Sequence, residues 1–184
     1  MLICFLTILT ANNLLGQSGL QVYAGFSNAK NNNTTITPAK TTHPGYLLGA
    51  DARLNSDDMY FVLGGQIHFI EFLADNEKSH FTVTNKMRWF KLRFGLGYNL
   101  FKLNKKVIIR AKSLGSINVI SSIPDIAAPF NNYNNGTAGV NLGLGIDFYN
   151  LTFDLEYEKG FFNAVNMVKG TEFNFFTTTL GFFF

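Results

Sequence analysis

One cysteine, Cys4, stands in the whole chain of 184 residues. No disulfide can form within one chain, and no Cys/His set has metal-ligand spacing. Charge is scarce as well. Asp, Glu, Lys and Arg make up 15% of the residues, against about 25% in an ordinary soluble domain. The net charge is only +3 and the basic residues form no long run, so nothing points to nucleic acid. Long apolar runs are missing too. No stretch reaches the roughly 18 consecutive residues of a membrane helix, although 47% of the chain is hydrophobic and 20 residues are Phe. HExxH and GxSxG are absent, and no metal or cofactor site is expected. The alternating glycines of GLGYNLF and LGLGIDF sit inside strand-like runs and open no helix, so they are not nucleotide loops.

A helical period is the last absence, and what replaces it is alternation at period two. In residues 136–150, Ala138, Val140, Leu142, Leu144, Ile146 and Phe148 share one face, and Thr137, Asn141, Asp147 and three glycines share the other. In residues 88–101, Phe90, Leu92, Phe94, Leu96, Tyr98 and Leu100 oppose Lys91, Arg93, Gly95, Gly97 and Asn99. Such runs, bounded by Gly, Asn, Asp and Pro clusters, predict about eight strands. These are Leu20–Ser27, Tyr46–Asn55, Met59–Phe69, Arg88–Phe101, Lys106–Ser121, Thr137–Tyr149, Leu151–Phe162 and Glu172–Phe184. HFTVTN (80–85) also alternates and could extend strands three and four as a hairpin.

The connections alternate in length. The odd ones are long and polar, among them NAKNNNTTITPAKTTHPG and SIPDIAAPFNNYNNG, and the even ones are tight, as at SDD, KLNK and Asn150. An even set of antiparallel strands with short turns at one end and long loops at the other is the pattern of an outer-membrane barrel. Several strands reach ten residues, enough to cross a bilayer at barrel tilt, whereas soluble strands average five or six. The expected fold class is therefore all-β, a transmembrane antiparallel up-and-down β-barrel, with both chain ends on the periplasmic side.

The N-terminal MLICFLTILTANNLLGQS has an apolar core from Leu2 to Leu9 followed by small and polar residues. Residues 1–17 are read as a secretory signal peptide, cleaved near Gly16 or Gln17, and 18–184 as the barrel. The usual basic residue before the apolar core is missing, and the competing reading is a buried first strand or helix. The mature chain would then contain no cysteine.

With the apolar face toward lipid, the opposite face lines the lumen. It carries Arg53, Lys91, Arg93, Arg110 and Lys112 against Asp51, Asp147, Asp154, Glu156 and Glu158, five cations and five anions. Gln66, His68 and Asn141 join them. An eight-stranded barrel is just wide enough for side chains, and unpaired buried charge is costly. A lumen charge network that plugs the barrel, with ordered water, is the expected arrangement. A narrow conduction path is the competing one. Lumenal glycines, Gly49, Gly64, Gly95, Gly97, Gly143 and Gly145, make room for long side chains.

The chain ends TTTLGFFF. Phe176, Leu180, Phe182 and Phe184 share a face that would meet lipid in the closing strand, at the level of an aromatic belt. This end resembles the C-terminal signature of outer-membrane proteins, which implies reading by the barrel-assembly machinery. From Gly19 to Phe184 the chain resembles the small eight-stranded outer-membrane barrels of the Bacteroidota, the PorT-like or OmpA-like class. GLQVYAGFS, GVNLGLGIDF followed by LTFDLEYEKGF, and the LGFFF end carry the resemblance. It implies an architecture more than a role, and no peptidoglycan-binding module is expected.

The resulting expectation is an integral outer-membrane barrel with a structural or interaction role, presenting loops or serving an envelope assembly. Its partners are outer-membrane lipid, the assembly machinery and other envelope proteins. Three alternatives differ in what they require. A solute pore needs an open lumen. An enzyme needs Glu77, Ser79 and His80, neighbours in one loop, to be oriented as a site. A soluble lipid carrier needs the apolar face turned inward. His43, before a proline, is read as a loop residue, and no catalytic residue is assigned.

Overall fold

The computed structural model describes residues 18–31, 42–55, 58–71, 86–103, 106–122, 134–164 and 170–184. The signal segment 1–17, the stretch 80–85 and the trio Glu77, Ser79 and His80 lie outside the described residues.

Eight strands form: β1 (Gly19–Lys30), β2 (Thr42–Asn55), β3 (Met59–Glu71), β4 (Lys86–Leu103), β5 (Val107–Ser122), β6 (Gly136–Phe148), β7 (Leu151–Gly160) and β8 (Asn174–Phe183). Each pairs antiparallel with its sequence neighbours, and β1 pairs with β8 to close a barrel. No helix occurs among the described residues. Closure removes both sheet edges. Residues at the outer ends of the first and last strands take part in it: Leu20 N–H donates to the Phe184 carbonyl at 3.2 Å, and Phe184 N–H donates back to the Leu20 carbonyl at 2.9 Å. The start of β1 and the end of β8 therefore lie at the end of the barrel that carries the short connections, called here the turn end. The opposite end is the loop end.

Burial alternates along the strands and runs opposite to that of a soluble protein. In β7, Leu151, Phe153, Leu155 and Tyr157 are exposed while Thr152, Asp154, Glu156 and Glu158 are buried. The same inversion runs through β6. A slip of one residue would reverse every face. Ten charges would then meet lipid, at roughly 2–4 kcal/mol for each cation near the bilayer midplane. That cost pins the register, and the outward apolar band makes this a transmembrane barrel. The inward apolar face required of a soluble lipid carrier is not the one the strands have.

Most strand boundaries shift from expectation by one or two residues, and the largest shifts are in β1 and β2. β1 and β2 run further toward the loop end, because Ala29 pairs with His43 and Lys30 with Thr42. His43 is thus a buried strand residue, 2% exposed, and not a loop residue. Pro44 is tolerated there because β3 pairs with β2 only from Gly45 onward, so no ladder bond on that side is lost. β7 stops at Gly160, two residues early, and β8 begins at Asn174, two residues late. The tight turn between β6 and β7 rests on Tyr149, whose φ of 55° lies in the left-handed region. Its N–H donates to the Lys106 carbonyl at 2.8 Å, and the Asn150 side chain donates to the Phe183 carbonyl at 2.9 Å.

The seam between β1 and β8 leaves no room for a side chain at Gly25. A Cβ there would press on the Thr178 carbonyl and lie 2.8 Å from the Thr179 Cα. Backbone cannot yield without opening the seam. The variant Gly25→Val should lose about 1–3 kcal/mol of stability, measured by urea unfolding in detergent micelles. Unchanged stability would show that the seam is loose.

Candidate functional site: a charge network in the barrel lumen

The lumen-facing positions of β2, β4, β5, β6 and β7 bring all ten charged residues together, each 9% exposed or less. Eight of them form one alternating chain. Arg53 bridges Asp147 at 2.7 Å, and Asp147 also holds Arg110 at 2.9 Å. Arg110 reaches Asp154 at 2.7 Å, and Asp154 meets Lys112 at 3.1 Å. Lys112 pairs with Glu156. Glu156 binds Arg93 at 2.7 Å, and Arg93 reaches Asp51, also at 2.7 Å. The chain climbs from the turn end to mid-barrel, and no two like charges adjoin along it. Arg93 grips Glu156 with both terminal nitrogens, 2.7 and 3.0 Å, the planar fork that lysine lacks.

Lys91 and Glu158 form a separate pair at 2.6 Å nearer the loop end. Ser116 and Asn118 donate to the other Glu158 oxygen at 2.8 and 2.7 Å. The Lys91 ammonium also sits 3.2 Å above the Phe175 ring, a cation–π contact in a dry setting. Neutral polar groups complete the carboxylates. Gln21 donates to Asp154 at 2.9 Å, Tyr23 to Asp51 at 3.0 Å and Asn141 to Glu156 at 2.9 Å. Gln66 Nε2, Asn118 Oδ1, Asn141 Oδ1 and Thr177 Oγ1 have no protein partner, and buried groups of this kind are where ordered water binds.

His68 lies between Ser27 and Gln66. Its Nε2 is 2.9 Å from Gln66 Oε1, which can only accept, so that nitrogen carries the proton. Its Nδ1, 3.0 Å from Ser27 Oγ, then accepts from the hydroxyl. Both nitrogens are used within the packing, and no acid–base partner faces His68 as in a catalytic triad. Among the described residues no group of three His, Cys, Asp or Glu side chains is arranged to hold a metal.

An apolar layer absent from the sequence-based site sits above the charges at the loop end. The single tryptophan, Trp89, is 1% exposed, with Phe173 and Phe175 each edge-on at 5.5 Å. His43 meets Phe173 at 6.1 Å, and Leu47, Ile70 and Met87 are buried in the same layer. At the same end Asn134 N–H donates to the Ala164 carbonyl at 2.8 Å, and Ala164 N–H to the Thr171 carbonyl at 3.1 Å. Trp89 was detectable in principle, since it lies two residues before Lys91 and shares its face. Collecting only polar residues for the lumen hid it. At the turn end, a pocket of about 290 Å³ opens among Arg53, Tyr60, Asn99, Asp147, Phe183 and Phe184. Its floor is closed by Arg53, whose guanidinium lies 4.7 Å from the Phe183 ring centroid.

Phe176, Leu180, Phe182 and Phe184 all face outward on the closing strand. Phe183, between them, turns in over Arg53.

Fold and lumen together define a class: a small closed transmembrane barrel of eight antiparallel strands, apolar outside and charged within. No protein-family model matches the chain, and no curated protein matches it in sequence. Its fold is similar to that of Neisserial surface protein A, with a TM-score of 0.59 and 13% identity over 92% of this chain and 98% of that one. Ail, the attachment invasion locus protein of Yersinia pestis, aligns with a TM-score of 0.47 and 13% identity over 93% and 100% of the two chains.

Replacing Arg93 by Gln leaves Asp51 without its cation and Glu156 with Lys112 alone. Breaking such a buried pair costs about 3–5 kcal/mol. Urea unfolding in micelles, followed through Trp89 fluorescence, should show a loss of that size. A loss below about 1 kcal/mol, the range of exposed pairs, would mean that water screens the network.

Proposed function

We propose that this chain is an exported outer-membrane barrel with a structural or interaction role, its lumen closed by the charge network and the aromatic layer above it. The single observation that supports this most is the pairing of all ten lumenal charges with one another. A site for a passing solute keeps polar groups free to exchange partners. Here each carboxylate already holds a cation. The loops then remain as the part that can meet other molecules, since recognition tends to reside in loops on a rigid scaffold. The name of Neisserial surface protein A, a barrel of similar fold, agrees with a surface role. Long loops outward and chain ends in the periplasm is the orientation that goes with this reading.

We further propose that Phe176, Leu180, Phe182 and Phe184 form the signal by which the assembly machinery receives the last strand. Their outward row next to the β1 seam supports it, because the final strand must be held while the barrel closes.

The test is conductance. The barrel is folded into vesicles, checked by a gel band whose mobility shifts on boiling, and transferred to a planar bilayer. Wild type should be electrically silent. Steady conductance that changes when Arg93 or Glu156 is neutralised would replace this reading with the pore.

A further inference from the structure

The outward face of β4 is apolar over Phe90, Leu92, Phe94, Leu96 and Tyr98, all exposed. One step nearer the loop end the same face carries Arg88, exposed as well. A cation that faces lipid belongs at the interface, where its cost falls to roughly 0–1 kcal/mol. Its surroundings are built to hold it there. Strand pairing sets Phe26 beside Tyr46, Tyr46 beside Phe69, and Phe69 beside Arg88, so three aromatics and one arginine form a single row across β1 to β4. The Tyr46 and Phe69 rings stack at 4.8 Å, and the Arg88 guanidinium lies 5.9 Å from the Phe69 ring. On the other flank the ladder slips: Arg88 pairs with Ser122 but Trp89 with Ile120. The irregularity leaves Ser121 beside Arg88, its hydroxyl donating to the Arg88 carbonyl at 3.4 Å. Such irregularities re-aim neighbouring side chains. Within the lumen every cation has a carboxylate partner, and Arg88 faces outward, away from all of them.

We infer that Arg88, on its Phe69–Tyr46 platform, binds the phosphate of a membrane lipid in the leaflet that meets the long loops. The inference rests on the transmembrane reading. A guanidinium beside the aromatic row offers a planar N–H fork, and that fork matches a phosphate. At the depth of the aromatic row, lipid phosphate is the abundant opposite charge. Lys159 on β7 is also exposed near the loop end but its outward neighbour across the strand pair is Val140, so it lacks a platform.

The full chain is folded in mild detergent with phosphatidylglycerol or with a galactolipid that has no phosphate, and lipid retained per barrel is counted by native mass spectrometry. Wild type should retain phosphatidylglycerol about tenfold better, the preference that one charge-assisted contact of about 1.4 kcal/mol provides. Arg88→Gln should abolish most of the preference, Arg88→Lys should leave part of it, and Lys159→Gln should leave it whole. Excess inorganic phosphate should not strip the lipid. An R88Q barrel that keeps the preference overturns the inference. So does a lipid released by inorganic phosphate, which would make the arginine a general anion site. A wild-type chain with no heat-modifiable gel band would fail the transmembrane reading itself, and this inference with it.

Discussion

Ten charges confined to a space no wider than their own side chains must neutralise one another, and the rest of the molecule is arranged around that requirement. Water cannot reach them in bulk, and lipid on the other side of the wall would solvate them worse. Arg93 shows how pairing meets the constraint. It lies between Asp51 and Glu156, each at 2.7 Å, and Glu156 shares its other side with Lys112. Breaking one link exposes two partners, so the network acts as a unit and not as a set of separate bridges.

The wall has the opposite task. Phe26, Leu142, Leu144 and Leu180 are among its most exposed residues, a surface that water would drive to aggregate. In a bilayer the same surface is satisfied, and the strands' backbone groups bond to one another around the closed sheet. The barrel is therefore inside out by necessity. Its polar residues form most of the core, joined by the apolar layer around Trp89 and by the small group of Tyr60, Val62 and Leu114.

The two ends differ. At the loop end Trp89, Phe173 and Phe175 pack edge to face inside the lumen. At the turn end Arg53 and Phe183 close the floor of a shallow pocket. An aromatic layer repels hydrated ions, and in the paired layer beneath it every carboxylate already holds a cation. This supports the proposed structural or interaction role over transport, with the loops and the membrane-facing rim as the surfaces left to meet other molecules.

Much of this was legible in the sequence. Period two marked eight strands, and the polarity of alternate residues separated lumen from lipid, because strand geometry alone sends neighbours to opposite faces. The ten charges were named from that alternation. Their partners were not. Arg53 finds Asp147 at a separation of 94 residues and Lys91 finds Glu158 at 67, matches set by the stagger of strands around a closed barrel. No local pattern encodes that stagger. The aromatic layer escaped for a related reason: Phe175 breaks the apolar-out rule beside outward Phe176, and only closure shows that it covers Lys91. His43 looked like a loop residue because a proline follows it, but strand pairing with β1 overrode the local signal. Composition and alternation determined that this chain is a barrel and which side faces lipid; tertiary closure decided which charges meet, since distance across a lumen is a property of the whole ring and not of any strand.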